Sequence, residues 1–219
     1  MSLHFLREIG RLNKHLIELA DTIEEQVSLS VHALSDQDQL KAQRVIDADT
    51  EVDKAEIEME EDCLKLLALH QPVANDLRQI ISVLKINNDL ERIGDHAVII
   101  AEEAINLTKL PKVIIPDELL ELSKTAKLML KKSLLAFVED DLDVAKDVLN
   151  TGQSISQLAN KIYASEVSLI KYAPEDAEQR LSILKVSRQL QRVADHATNI
   201  AEDIIFSMSG EIIRHNSTT

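Results

Sequence analysis

The chain has 219 residues, of which 45% are hydrophobic and only 2% are aromatic. Four glycines and four prolines are few for a fold of strands and turns, and they suit long helices with aliphatic cores. The net charge of −14 argues against a nucleic-acid-binding surface, because such surfaces need clustered Lys and Arg. From this composition we predict an all-α protein.

Three features of the sequence favour the cytoplasm. Cys63 is the only cysteine, so an internal disulfide is impossible, and we expect its side chain to serve as a small buried hydrophobe. The segment at 1–16, MSLHFLREIGRLNKHL, is interrupted by charge and lacks the apolar run of a signal peptide. No apolar stretch approaches the roughly 18 residues that a membrane span needs. We therefore expect a cytoplasmic protein.

Three helices are predicted in the first half of the chain. In the first, apolar residues recur at intervals of three and four from Ile9 onward, as the buried face of an amphipathic helix requires. Asp36 and Asp38 are the candidate N-caps of a second helix. A third helix is predicted between Pro72 and about Lys109, because proline lacks a backbone donor and ends the helix before it.

The second half of the chain repeats the first. AFVEDDLDVAKDVLN (136–150) aligns with ALSDQDQLKAQRVID (33–47), and residues 184–205 align with 84–105 without a gap. Both of the latter segments contain the same Arg-x-x-Asp-His-Ala motif. Convergent helical composition does not readily produce such a shared motif, so the alignment indicates an internal duplication.

A proline-flanked segment divides the two halves. Pro111 and Pro116 bracket a stretch in which helical periodicity lapses. We predict a first repeat at 1–110, a linker at 111–117 and a second repeat at 118–219. Short joints make sequential helices antiparallel, so the predicted fold is two tandem up-down-up three-helix bundles.

Two acidic pairs in the first repeat have the same spacing. Asp49 and Asp53 are four residues apart on the second helix, and Glu91 and Asp95 are four apart on the third. If these helices fold back about Pro72, residues whose numbers sum to about 144 lie opposite each other, and the four carboxylates converge. Such a patch needs a cation to offset the repulsion, and its oxygen ligands suit Mg, Mn, Ca or ferric iron. Acidic pairs of this spacing are also common on solvated helices that bind nothing.

The second repeat has lost most of these acids. The corresponding positions are held by Gly152, Ser156, Gln191 and Asp195. A second site of the same kind is therefore degraded or differently built, with Asp195 as its remaining candidate ligand.

These segments resemble the PhoU family. The resemblance rests on LERIGDHAVIIAEEA (90–104) and the corresponding segment of the second repeat, LQRVADHATNIAEDI (190–204). It also rests on DADTEVDKAEIEMEE (47–61) together with QPVANDLRQI (71–80). The duplicated three-helix plan covers essentially the whole chain. The acid-x-x-x-Asp pairs correspond to the signature motif of that family.

The resemblance also implies a metal cofactor, because some PhoU-like proteins carry multinuclear iron or other divalent metals on these motifs. A multinuclear cluster is expected, with iron as the first choice and manganese, zinc or magnesium as alternatives. By resemblance, Asp49, Asp53, Glu91 and Asp95 match the ligand motifs of the first repeat. In the second repeat only Asp195 matches.

PhoU-like proteins are cytoplasmic accessories of the high-affinity phosphate ABC transporter. They restrain phosphate uptake and help a sensor histidine kinase keep the phosphate-starvation response off when phosphate is plentiful. The resemblance therefore implies a regulator of phosphate transport and phosphate-starvation signalling. Its expected partners are the transporter ATPase and the sensor kinase, which would bring it to the membrane. A homodimer is expected, without direct contact to nucleic acid.

Two other functions remain as alternatives. A metal-storing bundle or a carboxylate-bridged metal enzyme is the first, but di-iron bundles need Glu-x-x-His on two helices. None of the seven histidines has a glutamate three residues before it, and the sequence has no Gly-rich phosphate loop and no nucleophile motif. The second is a PhoU-like adaptor of another transporter. We expect a binding protein and not an enzyme.

Overall fold

A computed structural model describes residues 3–210; residues 1–2 and 211–219, the outer edges of the two predicted repeats, lie outside the described part. The described chain is helical without any strand, and none of its helices is long and apolar enough to cross a membrane. The helices are α1 (Leu3–Asp36), α2 (Gln39–His70), α3 (Ala74–Thr108), α4 (Asp117–Glu139), α5 (Leu142–Tyr172) and α6 (Ala177–Ser209), with a 3₁₀ turn (Pro174–Asp176) before α6.

The six helices form two bundles that meet along their third helices. In each half the three helices pack against one another, and α3 also packs along α6. Residues 109–116 connect the two bundles. The predicted fold, two tandem up-down-up three-helix bundles, is confirmed.

Aspartate side chains start the second helix of each bundle. The carboxylate of Asp38 accepts hydrogen bonds from the backbone N–H groups of Leu40 at 2.9 Å and Lys41 at 3.1 Å. Asp141 accepts the equivalent pair at 2.9 and 3.0 Å. These bonds satisfy donors that the start of a helix leaves unpaired. The prediction of Asp36 as an alternative N-cap is wrong, because α1 continues through that residue.

The two bundles bury the same helix positions. A constant offset of 103 residues relates buried residues of α2 to those of α5, and an offset of 100 relates most buried residues of α3 to those of α6. The pairs in α2 and α5 are Ala42/Ala145, Val45/Val148, Val52/Ile155, Met59/Ile162 and Cys63/Glu166. Four pairs keep their apolar character, whereas the last exchanges a thiol for a carboxylate.

Gly94 allows α3 to approach the other helices of its bundle closely. A Cβ atom added there would lie 3.0 Å from Cδ1 of Ile23 on α1 and 3.5 Å from Cγ1 of Val52 on α2. Ala194 occupies the corresponding place in the second bundle and is also buried. Even a Cβ atom is therefore tight at Gly94, and a larger side chain needs the neighbouring side chains or helices to shift.

Gly94→Val is expected to lower the free energy of unfolding by about 1–3 kcal/mol, the usual cost of overpacking a core. Chemical denaturation of the full chain measures this change. Gly10 is the matched control, because it lies exposed on α1 with nothing within 4 Å of an added Cβ. Gly10→Val is expected to raise the stability slightly, by ~0.4 kcal/mol, through helix propensity. Equal losses at both positions would show that close packing at Gly94 is not the cause.

Candidate metal centre

The turn between α2 and α3 makes these helices neighbours and places the predicted acids on them. The chain reverses over residues 71–73, where Gln71 adopts a left-handed backbone conformation. Two of the acids lie on α2 and two on α3, and the i, i+4 spacing keeps each pair on one helix face. We call Asp49, Asp53, Glu91 and Asp95 the acidic patch.

Carboxylates of the acidic patch on α2 and α3 repel one another electrostatically. Desolvation by burial raises the pKa of Asp49, and the charges of Asp53 and Asp95 raise it further. Desolvation also raises the pKa of Glu91, followed by the charge of Asp95, and Asp53 contributes in the same direction. Each half-buried acid therefore responds to a charge on the opposite helix. A bound cation would relieve this repulsion and lower both pKa values.

Arg92 offsets only part of the negative charge. Its Nε atom lies 3.3 Å from Oε2 of Glu91, and its Nη1 atom lies 3.2 Å from Oδ2 of Asp95. The Oε2 atom of Glu91 is buried and accepts no hydrogen bond, because the contact with Arg92 is an ion pair without hydrogen-bond geometry. A buried carboxylate oxygen without a donor calls for an explanation, and the binding of a cation at this face would be one.

Glu56, which was not predicted from the sequence, extends the negative charge beyond the acidic patch. Desolvation raises the pKa of Glu56, and the charges of Glu60 and Asp53 add to this shift. Asn87 on α3 donates from Nδ2 to the backbone oxygen of Glu56 at 3.0 Å and to its Oε1 at 3.4 Å. The available signal was the spacing of three residues from Asp53, which places Glu56 on a neighbouring position of the same helix face.

The donor chemistry of the acidic patch fits a hard cation. Every ligand atom is a carboxylate oxygen, and such sites take Mg²⁺, Mn²⁺ or iron readily. Within residues 3–210, no three of these carboxylates bring oxygen atoms within 4.8 Å of one another. The side chains would therefore turn inward around one ion or bridge neighbouring ions. The identity and number of the metal ions stay predictions.

Asp195 lies in different electrostatic surroundings in the second bundle. Desolvation raises its pKa, whereas the charges of Arg192 and His196 lower it. Arg192 Nη1 lies 3.8 Å from Oδ2 of Asp195. Together with Lys185 and Arg188, Asp195 lines a cavity of about 590 Å³. The other charged side chains that line this cavity are basic, and the charges that shift the pKa of Asp195 are those of Arg192 and His196.

Ion pairs cross between the two bundles with an approximate two-fold relation. Lys85 Nζ lies 3.0 Å from Oδ1 of Asp203, and Lys185 Nζ lies 2.9 Å from Oε1 of Glu103. Each partner is related to its counterpart by the offset of 100 residues. Both carboxylates are buried, so these pairs help to fix α3 against α6. These ion pairs were not predicted from the sequence, although Lys and acidic residues that recur at a constant offset were a usable signal.

The single cysteine has no reactive role in this structure. Burial raises the pKa of Cys63 to about 12, and the nearby charges of Asp62 and Glu60 contribute in the same direction. The thiol therefore stays protonated at neutral pH, whereas nucleophilic and metal-binding cysteines act as thiolates. The predicted role of Cys63 as a small buried hydrophobe is confirmed.

Comparison with known families recovers the duplication. A family model described as the PhoU domain matches residues 16–104 and again residues 119–204. The chain is 33% identical to the phosphate-specific transport system accessory protein PhoU homolog of Pseudomonas aeruginosa, covering 100% of this chain and 91% of that protein. It is 31% identical to the homolog with the same name from Aquifex aeolicus, covering 95% of each.

Solved structures agree with these matches. The crystal structure of PhoU from Pseudomonas aeruginosa superposes with a TM-score of 0.92 at 33% identity, covering 94% of this chain and 100% of that one. The phosphate transport system regulatory protein PhoU from Streptococcus pneumoniae superposes with a TM-score of 0.85 at 27% identity, covering 95% and 99%. With two PhoU domains, whole-length relatives and the same arrangement of helices, this chain belongs to the PhoU family.

Proposed function

We propose that this chain is a cytoplasmic regulator of inorganic phosphate transport and of phosphate-starvation signalling. The observation that carries the proposal is the likeness, along the whole chain, to proteins named as accessories of the phosphate-specific transport system. The proposed partners are the ATPase of a phosphate ABC transporter and a sensor histidine kinase. The protein acts by binding and not by catalysis. It reaches the membrane only through these partners and does not contact nucleic acid directly.

The acidic patch is the proposed binding site of a multinuclear metal cluster. Iron is the expected metal, with manganese, zinc or magnesium as alternatives. The raised pKa values of Asp49 and Glu91, and the buried oxygen of Glu91 that accepts no hydrogen bond, support a cation at this face. Asp49, Asp53, Glu91 and Asp95 would hold the metal, which would supply the positive charge that the patch lacks. Asp195 is retained as a single candidate ligand in the second bundle.

Metal binding would change the net charge of the acidic patch and the freedom of α2 and α3 to move relative to each other. The ligands come from α2 and α3, so a bound cation would tie the two helices together. Asp53 and Arg92 are exposed, which makes the charge of the patch accessible to a docking partner. Charged groups at the rim of an interface chiefly set association rates and salt dependence. We therefore expect partner binding to weaken as ionic strength rises.

A homodimer is the proposed functional unit. Light scattering of the full chain across a range of concentrations tests this part of the proposal. A dimer mass at micromolar concentration is expected, and a monomer mass throughout would remove the homodimer from the proposal.

Deleting this protein is expected to derepress phosphate-starvation genes or to unbalance phosphate uptake. Asp49→Asn/Asp95→Asn is expected to alter the same regulation without unfolding the protein, because it removes two patch charges while keeping side-chain size. A phosphate-regulated reporter and an uptake assay measure both effects. Co-purification over a salt series identifies whether the ATPase or the kinase is bound.

Glu58→Gln/Glu102→Gln is the matched control, since these acids lie exposed on the same two helices outside the acidic patch. This variant is expected to regulate as the wild type does. If deletion leaves both reporter and uptake unchanged, and neither partner co-purifies at low salt, the chain is a PhoU-family protein with another role. If deletion has its effect but Asp49→Asn/Asp95→Asn regulates normally, the regulatory function stands and the part assigned to the acidic patch is wrong.

A further inference from the structure

Three side chains meet where the first turns of α1 lie beside the last turn of α2. His4 Nδ1 lies 3.4 Å from Oε2 of Glu8, and His70 Nε2 lies 2.7 Å from the same oxygen. The three candidate ligand atoms all lie within 4.8 Å of one another. Within residues 3–210, no other group of three histidine or carboxylate side chains brings its ligand atoms within this distance.

Local structure brings these groups together. His4 and Glu8 are four residues apart on α1, which places both on one helix face. His70 comes from the last residue of α2, and the buried ring of Phe5 packs against its imidazole with 5.0 Å between ring centroids. Two of the three ligands are therefore held by the packing of α1 against α2. The third, His4, is 74% exposed and has room to turn.

The ligand set matches a zinc site with an open position. Two imidazole nitrogens and one carboxylate form a protein triad known for zinc, and water takes the fourth place. Zinc–nitrogen bonds of about 2.0–2.1 Å put the ligands of a tetrahedral site about 3.3 Å apart. The ligand atoms all lie within 4.8 Å of one another, and rotation of the exposed imidazole of His4 can bring them to this spacing.

We propose that His4, Glu8 and His70 bind a divalent transition-metal ion of the zinc type, separately from the acidic patch. The nitrogen-rich ligand set prefers such ions over the hard cations that suit an all-carboxylate site. Binding fastens the beginning of α1 to the end of α2. This inference does not depend on the regulatory function, because it concerns another end of the first bundle and another ligand chemistry.

Zinc binding to the chelator-treated full chain tests the proposal. Equilibrium dialysis is expected to find one fewer zinc ion per chain in His4→Ala and in His70→Ala than in the wild type, or one bound at least ~10-fold more weakly, since even indirect supports of a metal ligand contribute that much. Glu8→Gln is expected to behave in the same way. His15→Ala is the matched control, because His15 is exposed on α1 outside the triad, and it keeps the zinc ion.

Two further measurements separate this site from the acidic patch. Asp49→Asn/Asp95→Asn is expected to retain the zinc ion that His4→Ala loses. Co²⁺ bound to the wild type is expected to show the strong visible absorption of four-coordinate cobalt with nitrogen ligands, and His4→Ala to lack it. Circular dichroism checks that each variant keeps its helices. Unchanged zinc binding in folded His4→Ala and His70→Ala, or only the weak spectrum of octahedral cobalt in the wild type, would overturn the proposal.

Discussion

Arg180→Ile is expected to lower the free energy of unfolding by about 3–5 kcal/mol, because it leaves a buried carboxylate without its cation. Arg180 Nη1 on α6 lies 3.2 Å from Oε2 of Glu166 on α5, and Glu166 is only 1% exposed. The other guanidinium nitrogen, Nη2, lies 3.3 Å from Oδ2 of Asp176. Denaturation of the full chain by urea or guanidinium measures the loss.

The first bundle supplies the control for this prediction. Cys63 and Ile80, both buried and uncharged, hold the positions that correspond to Glu166 and Arg180. Glu166→Cys/Arg180→Ile copies that apolar pair and is expected to recover most of the lost stability, since replacing a whole buried ion pair is often neutral. If the double variant is as unstable as Arg180→Ile, the loss comes from packing and not from a stranded charge.

Asp49→Asn/Glu91→Gln is expected to abolish stabilisation by metal at the acidic patch. A ligand present at a hundred times its Kd stabilises the folded state by about 2.7 kcal/mol. The variant removes two of the four carboxylates and both of those whose pKa is raised by burial. Thermal unfolding with and without Mn²⁺, a redox-stable substitute for iron, measures this difference in the wild type and the variant.

Without metal, the same variant is expected to be more stable than the wild type at neutral pH. Desolvation and neighbouring acids raise the pKa of Asp49 and of Glu91 above the ordinary values of 3.8 and 4.5. The folded state therefore holds these protons more tightly than the unfolded state does. The stability that protonation of these two acids contributes is fully present below their ordinary pKa values. It is lost as pH rises through the raised pKa values. The excess stability of the variant over the wild type should therefore grow as pH rises from the ordinary pKa values through the raised ones.

Glu58→Gln/Glu102→Gln is again the control for these measurements. Both side chains are exposed, so the stability should change by no more than about 0.5 kcal/mol and the effect of Mn²⁺ should persist. Equal stabilisation by Mn²⁺ in the wild type and in Asp49→Asn/Glu91→Gln would mean that the ion binds outside the acidic patch. A wild type that is the more stable of the two at pH 7 would contradict the assigned cost of patch repulsion.

The helices, the duplication and the spacing of the acidic pairs could all be predicted from the amino-acid sequence. These features are local, because apolar periodicity marks a helix face and Asp38 starts a helix by accepting hydrogen bonds from the backbone N–H groups of Leu40 and Lys41. The turn at Pro72 is also local, and it makes α2 and α3 neighbours. The charge of Asp95 raises the pKa of Asp49 because this short turn and the helical period place the two residues near each other.

Contacts between side chains that are distant in the sequence depend on how the helices pack in three dimensions. The contacts of Lys85 with Asp203 and of His70 with Glu8 join residues that are 118 and 62 positions apart, and no helical period relates them. The burial of Glu166 beside Arg180 likewise depends on how α5 packs against α6, since the same position holds a cysteine in the first bundle. Periodicity gives the buried face of each helix. The rotation and height at which two faces meet come from the interlocking of all their side chains, and these determine the ion pairs between the bundles and the histidine–glutamate cluster.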